Sequence, residues 1–151
     1  MTNHLSYLDI VVLASACDVV FVARADVATW PLIGRFCRQV QTVFIDRTRK
    51  RDLLRVIPIL QQRLTAGGGV AVFPEATTTD GNQVLPFKSS LFAAPVRAAR
   101  PVRAARLSYV TPEGAPPAAV AVCWWGDAAF GKHVFELLRL KRIHATVNFS
   151  A

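Results

Sequence analysis

The sequence predicts an α/β fold, a single domain in which a central, mostly parallel or mixed β-sheet is flanked by helices, and three observations lead there. Short apolar runs without polar alternation recur at residues 19–23 (VVFVA), 42–45 (TVFI) and 70–73 (VAVF), and such runs suit strands covered on both faces. Between them lie stretches whose apolar residues return at helical spacing: Leu32, Ile33, Phe36 and Val40, then Leu53, Leu54, Ile57, Leu60 and Leu64. Strand and helix taken in turn is the pattern of a sheet with helices on its faces. At 151 residues, 52% of them hydrophobic, the chain can bury one sizeable core, so residues 1–151 are expected to form one domain.

Each element has a local reason. The opening Asn3-His4-Leu5-Ser6-Tyr7-Leu8-Asp9 reads as a loop carrying His4, followed by a helix starting at Ser6. After the strand at 19–23, Thr29 is placed to cap a helix and Pro31 to occupy its first turn. The strand at 42–45 runs into the basic stretch Asp46-Arg47-Thr48-Arg49-Lys50-Arg51. A helix begins at Asp52, with Pro58 expected to kink or restart it, and Gly67-Gly68-Gly69 ends it.

The strand at 70–73 then leads into a loop, Pro74 through Gly81, and ligands of open α/β sheets gather at such carboxyl ends. Residues 101–109 and 118–123 read as further strands, separated by a Pro- and Gly-rich turn. Beyond Gly131 a basic amphipathic helix is expected, with Phe130, Val134, Leu137 and Leu138 on one face and Lys132 and Arg139 opposite. It suits a membrane surface or an ordinary packed core. Trp124-Trp125 fits either an interface or the closure of that core.

Composition narrows the function classes. Eighteen Lys plus Arg against ten Asp plus Glu give +8, which favours phosphate-bearing partners of any kind. Nucleic acid is not expected, because the aromatic-plus-basic modules of such domains are missing. Cys17, Cys37 and Cys123 include no CxxC pair, and His4, His133 and His144 are scattered, so no disulfide framework and no metal site is expected. No apolar run approaches the length of a transmembrane helix, and Met1-Thr2-Asn3-His4 does not read as a secretory leader, so export is not expected.

The chemistry centres on His4 and Asp9. Five residues on a continuous helix would turn these side chains apart, but across a loop-to-helix turn the carboxylate can reach back to the imidazole. It then fixes the ring's tautomer, leaving the other nitrogen to take a proton from a hydroxyl. The same Ser6-x-x-Asp9 spacing is also a capping box, which would begin any helix without catalytic purpose. No GxSxG elbow offers a nucleophilic serine, and Cys17 lies in an apolar run where burial would blunt a thiol.

Two further blocks follow strands: Phe44-Ile45-Asp46-Arg47, and Phe73-Pro74-Glu75-Ala76-Thr77. Together with Asn3-His4-x-Ser6-x-x-Asp9, in this order and spacing, they resemble the glycerol-phosphate and lysophosphatidic acid acyltransferase family, whose blocks read approximately NHxSxxD, GxxFIDR and FPEGTRS. Trp30-Pro31-Leu32-Ile33-Gly34 and Pro86-Phe87-Lys88-Ser89-Ser90 look like that family too. The resemblance implies an O-acyltransferase in which His4 is the general base and Asp9 orients it. It implies that Arg47 binds an acidic group of the acceptor, and that Glu75 and Thr77 shape the acceptor pocket. The acceptor would be a lysolipid such as 1-acylglycerol-3-phosphate, and the donor a thioester on coenzyme A or acyl carrier protein, with no bound cofactor. Such an enzyme is expected to sit peripherally at the cytoplasmic face of a membrane, in bacteria the inner one.

The third block departs from the pattern. Ala76 replaces the usual glycine, so the loop is expected to take another path, and Thr78 replaces a frequent arginine. Threonine-rich versions are similar to bacterial acyltransferases acting on other lysolipids, lyso-ornithine lipid among them, which makes that acceptor the alternative. Family members carry a membrane-associated helical segment before the histidine, so the chain reads as a core truncated at its N-terminus. A non-catalytic lipid-binding relative is the remaining alternative.

Overall fold

A computed structural model describes residues 1–31, 33–49 and 51–150. The elements in chain order are α1 (Leu8–Ala16), β1 (Val19–Arg24), a 3₁₀ helix (Ala25–Thr29), α2 (Ile33–Gln39), β2 (Val43–Ile45), α3 (Asp52–Thr65) and β3 (Gly69–Ala71). A second 3₁₀ helix (Ser89–Phe92), α4 (Ala93–Arg97), β4 (Ala105–Val110), α5 (Ala118–Ala121), α6 (Phe130–Leu138) and β5 (His144–Phe149) follow. The chain divides into two compact units: Met1–Leu13, Phe73–Lys88 and Arg103–Ala151 in one, Ala14–Val72 and Ser89–Val102 in the other.

The second of these holds the expected parallel sheet, in the order β2-β1-β3. Val22 pairs with Val43 on one side, and Val20 with Val70 on the other. Helix α3 lays Val56, Ile57 and Leu60 against Val22, Ile45 and Ala94, and this cluster is the unit's core. Helix α3 does not restart at Pro58, which lies within its continuous span. The carbonyl that loses its partner to a proline is the one four residues earlier, here Leu54, whose side chain is 72% exposed. Water can serve that carbonyl, while the buried stripe continues undisturbed.

Thr29 does not cap α2. Its hydroxyl donates to the Asp26 carbonyl at 2.7 Å and closes the 3₁₀ helix, and α2 begins at Ile33. Leu32, assigned to this helix from sequence, lies outside the described residues. Gly34 is buried, and a Cβ there would run into the Ala28 carbonyl oxygen, so the close approach of α2 to the 3₁₀ helix requires glycine. Two of the glycines after α3 act as expected, Gly67 adopting φ +89° and the Gly68 amide reaching back to the Arg63 carbonyl at 3.1 Å, whereas Gly69 opens β3, which ends at Ala71 rather than at Phe73.

The other unit is built on an antiparallel pair, β4 with β5, in register from Ala105↔Phe149 to Val110↔His144. Sequence reading has no counterpart for β5, which is exposed along nearly its whole length and therefore carries no hydrophobic alternation. Residues 101–104 stay outside β4. Residues 118–123, expected as a strand, instead contain α5, where the Pro117 carbonyl accepts the Val120 and Ala121 amides at 2.9 and 3.0 Å. Proline just ahead of a run of small residues starts a helical turn, and β-propensity there rested on two valines alone.

Helix α6 forms where expected, and of its predicted face Leu137 is buried and Phe130 and Val134 are half-buried, whereas Leu138 turns outward. His133 and Leu137 are buried, while Phe135 and Leu138 are 64% and 76% exposed. Trp124 packs near Tyr7 and edge-on to Phe130, whereas Trp125 remains exposed.

Candidate active site

Strand β4 holds the first residues of the chain in an extended path. The Ala105 amide donates to the Met1 carbonyl at 2.8 Å, and Thr2 forms a parallel bridge with Ala105. Asn3 continues the ladder with its side chain: its Nδ2 donates to the Leu107 carbonyl at 3.0 Å, and its Oδ1 accepts the Leu107 amide at 2.8 Å. A carboxamide offers donor and acceptor side by side, as a peptide edge does, so asparagine fits here. The Trp124 amide caps the Leu5 carbonyl at 2.8 Å, and the Thr79 amide the His4 carbonyl at 3.0 Å.

Past Leu5 the chain turns, and α1 begins at Leu8, two residues later than predicted. Asp9, in its first turn, is fully buried. Its Oδ2 accepts the Leu5 amide at 2.7 Å and the Ser6 amide at 3.1 Å, and lies 2.7 Å from His4 Nδ1. Its Oδ1 accepts the Tyr109 hydroxyl at 2.6 Å. The capping-box bond to Ser6 and the contact to the imidazole are thus made by one carboxylate. With a carboxylate acceptor on Nδ1, the neutral ring carries its proton there and presents Nε2 as a base. The His4 side chain keeps 19% of its surface exposed.

The third block supports the histidine directly. Phe73 stacks on the His4 ring, with centroids 3.9 Å apart and planes 16° from parallel. Glu75 is buried, its Oε2 accepting the Leu85 amide at 2.9 Å, and the Lys88 amide donates to the Pro74 carbonyl at 2.8 Å. Thr77 is exposed.

The loop does not abandon the left-handed path as expected: Ala76 adopts φ +64°. Alanine takes that conformation against a cost of about 1 kcal/mol that glycine escapes. Ala76→Gly is therefore expected to raise unfolding stability by up to about 1 kcal/mol, part of the gain being offset by the freer unfolded chain. Urea denaturation checks this, and a lower midpoint in the variant would mean the backbone is not strained.

Arg47 belongs to the other unit, in the loop after β2. Its side chain is exposed, yet partial withdrawal of its head from water holds its pKa below the usual arginine value, with Arg24 adding to the shift and Asp26 opposing it. The same loop is tied by Asp46, which accepts the Thr48 hydroxyl at 2.6 Å and pairs with Arg49 at 3.3 Å. Lys50 lies outside the described residues.

Burial raises the phenol of Tyr7 to about 12 and the thiol of Cys123 to about 11. Tyr109 is pushed far above the tyrosine range, by burial first and by the neighbouring Asp9 charge second. Cys17 is half-buried rather than fully enclosed. Among the described residues no cluster of three or more His, Cys, Asp or Glu is placed to hold a metal.

Three residues that hold the dyad had no role in the sequence reading. Asn3 and Phe73 stand inside the first and third blocks, where their neighbours drew the attention. Tyr109 lies outside every block, and its one signal is alternation with Leu107 along a strand whose inward residues are both buried.

The family model described as Acyltransferase matches residues 1–108. A lyso-ornithine lipid O-acyltransferase of Rhizobium meliloti is 36% identical, over 97% of this chain and 54% of its own length. A 1-acyl-sn-glycerol-3-phosphate acyltransferase of Neisseria gonorrhoeae is 30% identical, over 97% of this chain and 56% of its own. The crystal structure of the 1-acyl-sn-glycerophosphate acyltransferase PlsC from Thermotoga maritima, at 26% identity, covers 76% of this chain and 46% of that one with a TM-score of 0.49. The chain thus spans about half the length of the curated relatives it matches. With the first block folded into a His4–Asp9 pair, and with the family model covering residues 1–108, this chain belongs to the acyltransferase family.

Proposed function

We propose that the protein transfers a fatty acyl group from a thioester, on coenzyme A or acyl carrier protein, to the hydroxyl of a lysolipid. The observation that carries this reading is the 2.7 Å contact between His4 Nδ1 and the buried Asp9 carboxylate, which turns His4 Nε2 into a proton acceptor. Nε2 takes the hydroxyl proton as the oxygen attacks the thioester carbonyl carbon. The C–S bond then breaks, and the departing sulfur receives the proton from the imidazolium. Asp9 stabilises that imidazolium and prevents the ring from turning.

Arg47 offers a planar fork of donors to an acidic group of the acceptor. Glu75, which holds Leu85, and Thr77, exposed two residues on, shape the acceptor pocket. Lyso-ornithine lipid is the acceptor we favour over lysophosphatidic acid. The Rhizobium relative named for it is more alike in sequence than the Neisseria one, 36% against 30%, and Thr78 leaves the third block without one phosphate-binding arginine. Work on a lysolipid places the protein at a membrane surface, at the cytoplasmic face where acyl thioesters are found; no helix of the described residues is long and apolar enough to cross a membrane.

The test is acyl transfer from labelled acyl-CoA and acyl carrier protein to each lysolipid. Faster product formation on lyso-ornithine lipid is expected. Product on lysophosphatidic acid alone would reverse the choice of acceptor, and liposome binding without product on either would favour a lipid-binding relative.

A further inference from the structure

We propose that Tyr109 is a positioning residue for the dyad, its hydroxyl locking the Asp9 carboxylate in the one orientation that aims Oδ2 at His4. This rests on the general-base reading of His4 given above. The carboxylate is held unevenly: Oδ2 meets His4 and two backbone amides, whereas Oδ1 accepts the Tyr109 hydroxyl at 2.6 Å. Rotation of the carboxyl group about its bond to Cβ would spoil the contact at His4, and a donor on the second oxygen opposes that rotation.

Tyr109 can serve because it cannot itself move. It is 9% exposed, and it sits two residues from Leu107, which clamps Asn3 through both of its backbone groups. One strand thereby fixes the carboxylate at one end of the first block and the backbone ahead of His4 at the other. A buried phenol without a partner would be costly, so this hydroxyl is committed to Asp9. Burial and the Asp9 charge also keep it protonated, hence a donor, across the working pH range. Sharing the carboxylate's charge with Tyr109 further moderates its pull on the Nδ1 proton, which must stay on His4 for Nε2 to act as base.

Tyr109→Phe removes the hydroxyl and keeps the ring. It is expected to lower kcat about tenfold, on the order of what one hydrogen bond to a charged group contributes, with KM for both substrates unchanged. In an Asp9→Asn background the same change should add nothing, since the two residues act as one unit. Wild-type kcat in Tyr109→Phe, a change confined to KM, or a full tenfold loss repeated on top of Asp9→Asn would each overturn the proposal. His4→Ala, run alongside, separates the two ideas: if it retains the rate, the general-base reading falls as well; if it does not, only the role of Tyr109 is at stake.

Imidazole NMR reads the contact without turnover. Tyr109→Phe should shift the His4 Nδ1–H resonance and speed its exchange with water, and fluorotyrosine at position 109, a stronger donor of nearly the same shape, should shift it the opposite way. A resonance unmoved by both overturns the proposal, even if the phenylalanine variant folds poorly.

Discussion

His4→Ala is expected to lower acyl transfer by about a thousandfold, within the range that a positioned general base contributes. The reason is geometric. Asp9 engages Nδ1 and Phe73 covers one ring face, so the ring is held by its edge and its face and presents Nε2 in a set direction. Alanine removes the base while leaving intact the Leu5 and Ser6 amide bonds to Asp9, so circular dichroism should show an unchanged fold. KM should change little, because a general base contributes to proton transfer rather than to substrate binding. A rate within tenfold of wild type would rule out His4 as the base.

Asp9→Ala is expected to act on stability as strongly as on catalysis. Besides the His4 Nδ1–H, it strands three buried donors that now converge on the carboxylate, the Leu5 and Ser6 amides and the Tyr109 hydroxyl. A buried donor left without a partner costs about 1–3 kcal/mol, and water entering the vacated space recovers part of that. A net loss of about 4 kcal/mol follows, a large share of the roughly 5–15 kcal/mol that holds a domain folded. The melting temperature should fall by roughly 10 °C. Asp9→Asn should be milder in stability and nearly as inactive. Its amide keeps the volume, but if its NH₂ faces Nδ1 it favours the tautomer in which Nε2 is already protonated. An alanine variant within about 1 kcal/mol of wild type would contradict the bonding described for Asp9.

Much of this was legible in the sequence because it is written locally. The strands at β1, β2 and β3 are unbroken apolar runs, and the three blocks carry their own order and spacing. What escaped was decided by distant partners. Residues 118–123 have the composition of a strand, and the prolines ahead of them tip the balance to helix. Val134, Leu137 and Leu138 share a face on a helical wheel, but wheel geometry cannot tell which neighbour the helix meets, and Leu138 turned outward. The Ala76 backbone shows the same limit from the other side. Propensity argued against left-handed geometry, and a loop fastened through Glu75 to Leu85 and through Pro74 to Lys88 imposed it.

The same dependence on distant partners bears on how the protein comes to exist during synthesis. His4 and Asp9 leave the ribosome well before the strand that clamps Asn3 and braces Asp9, which lies about a hundred positions later. A nascent chain that has not yet emerged through β4 carries all three sequence blocks but lacks the clamp on Asn3 and the brace on Asp9. Loop-closure entropy works against so remote a pairing until the intervening sheet unit has condensed. Assembly of the His4–Asp9 pair with its Tyr109 brace is thereby a late event in folding.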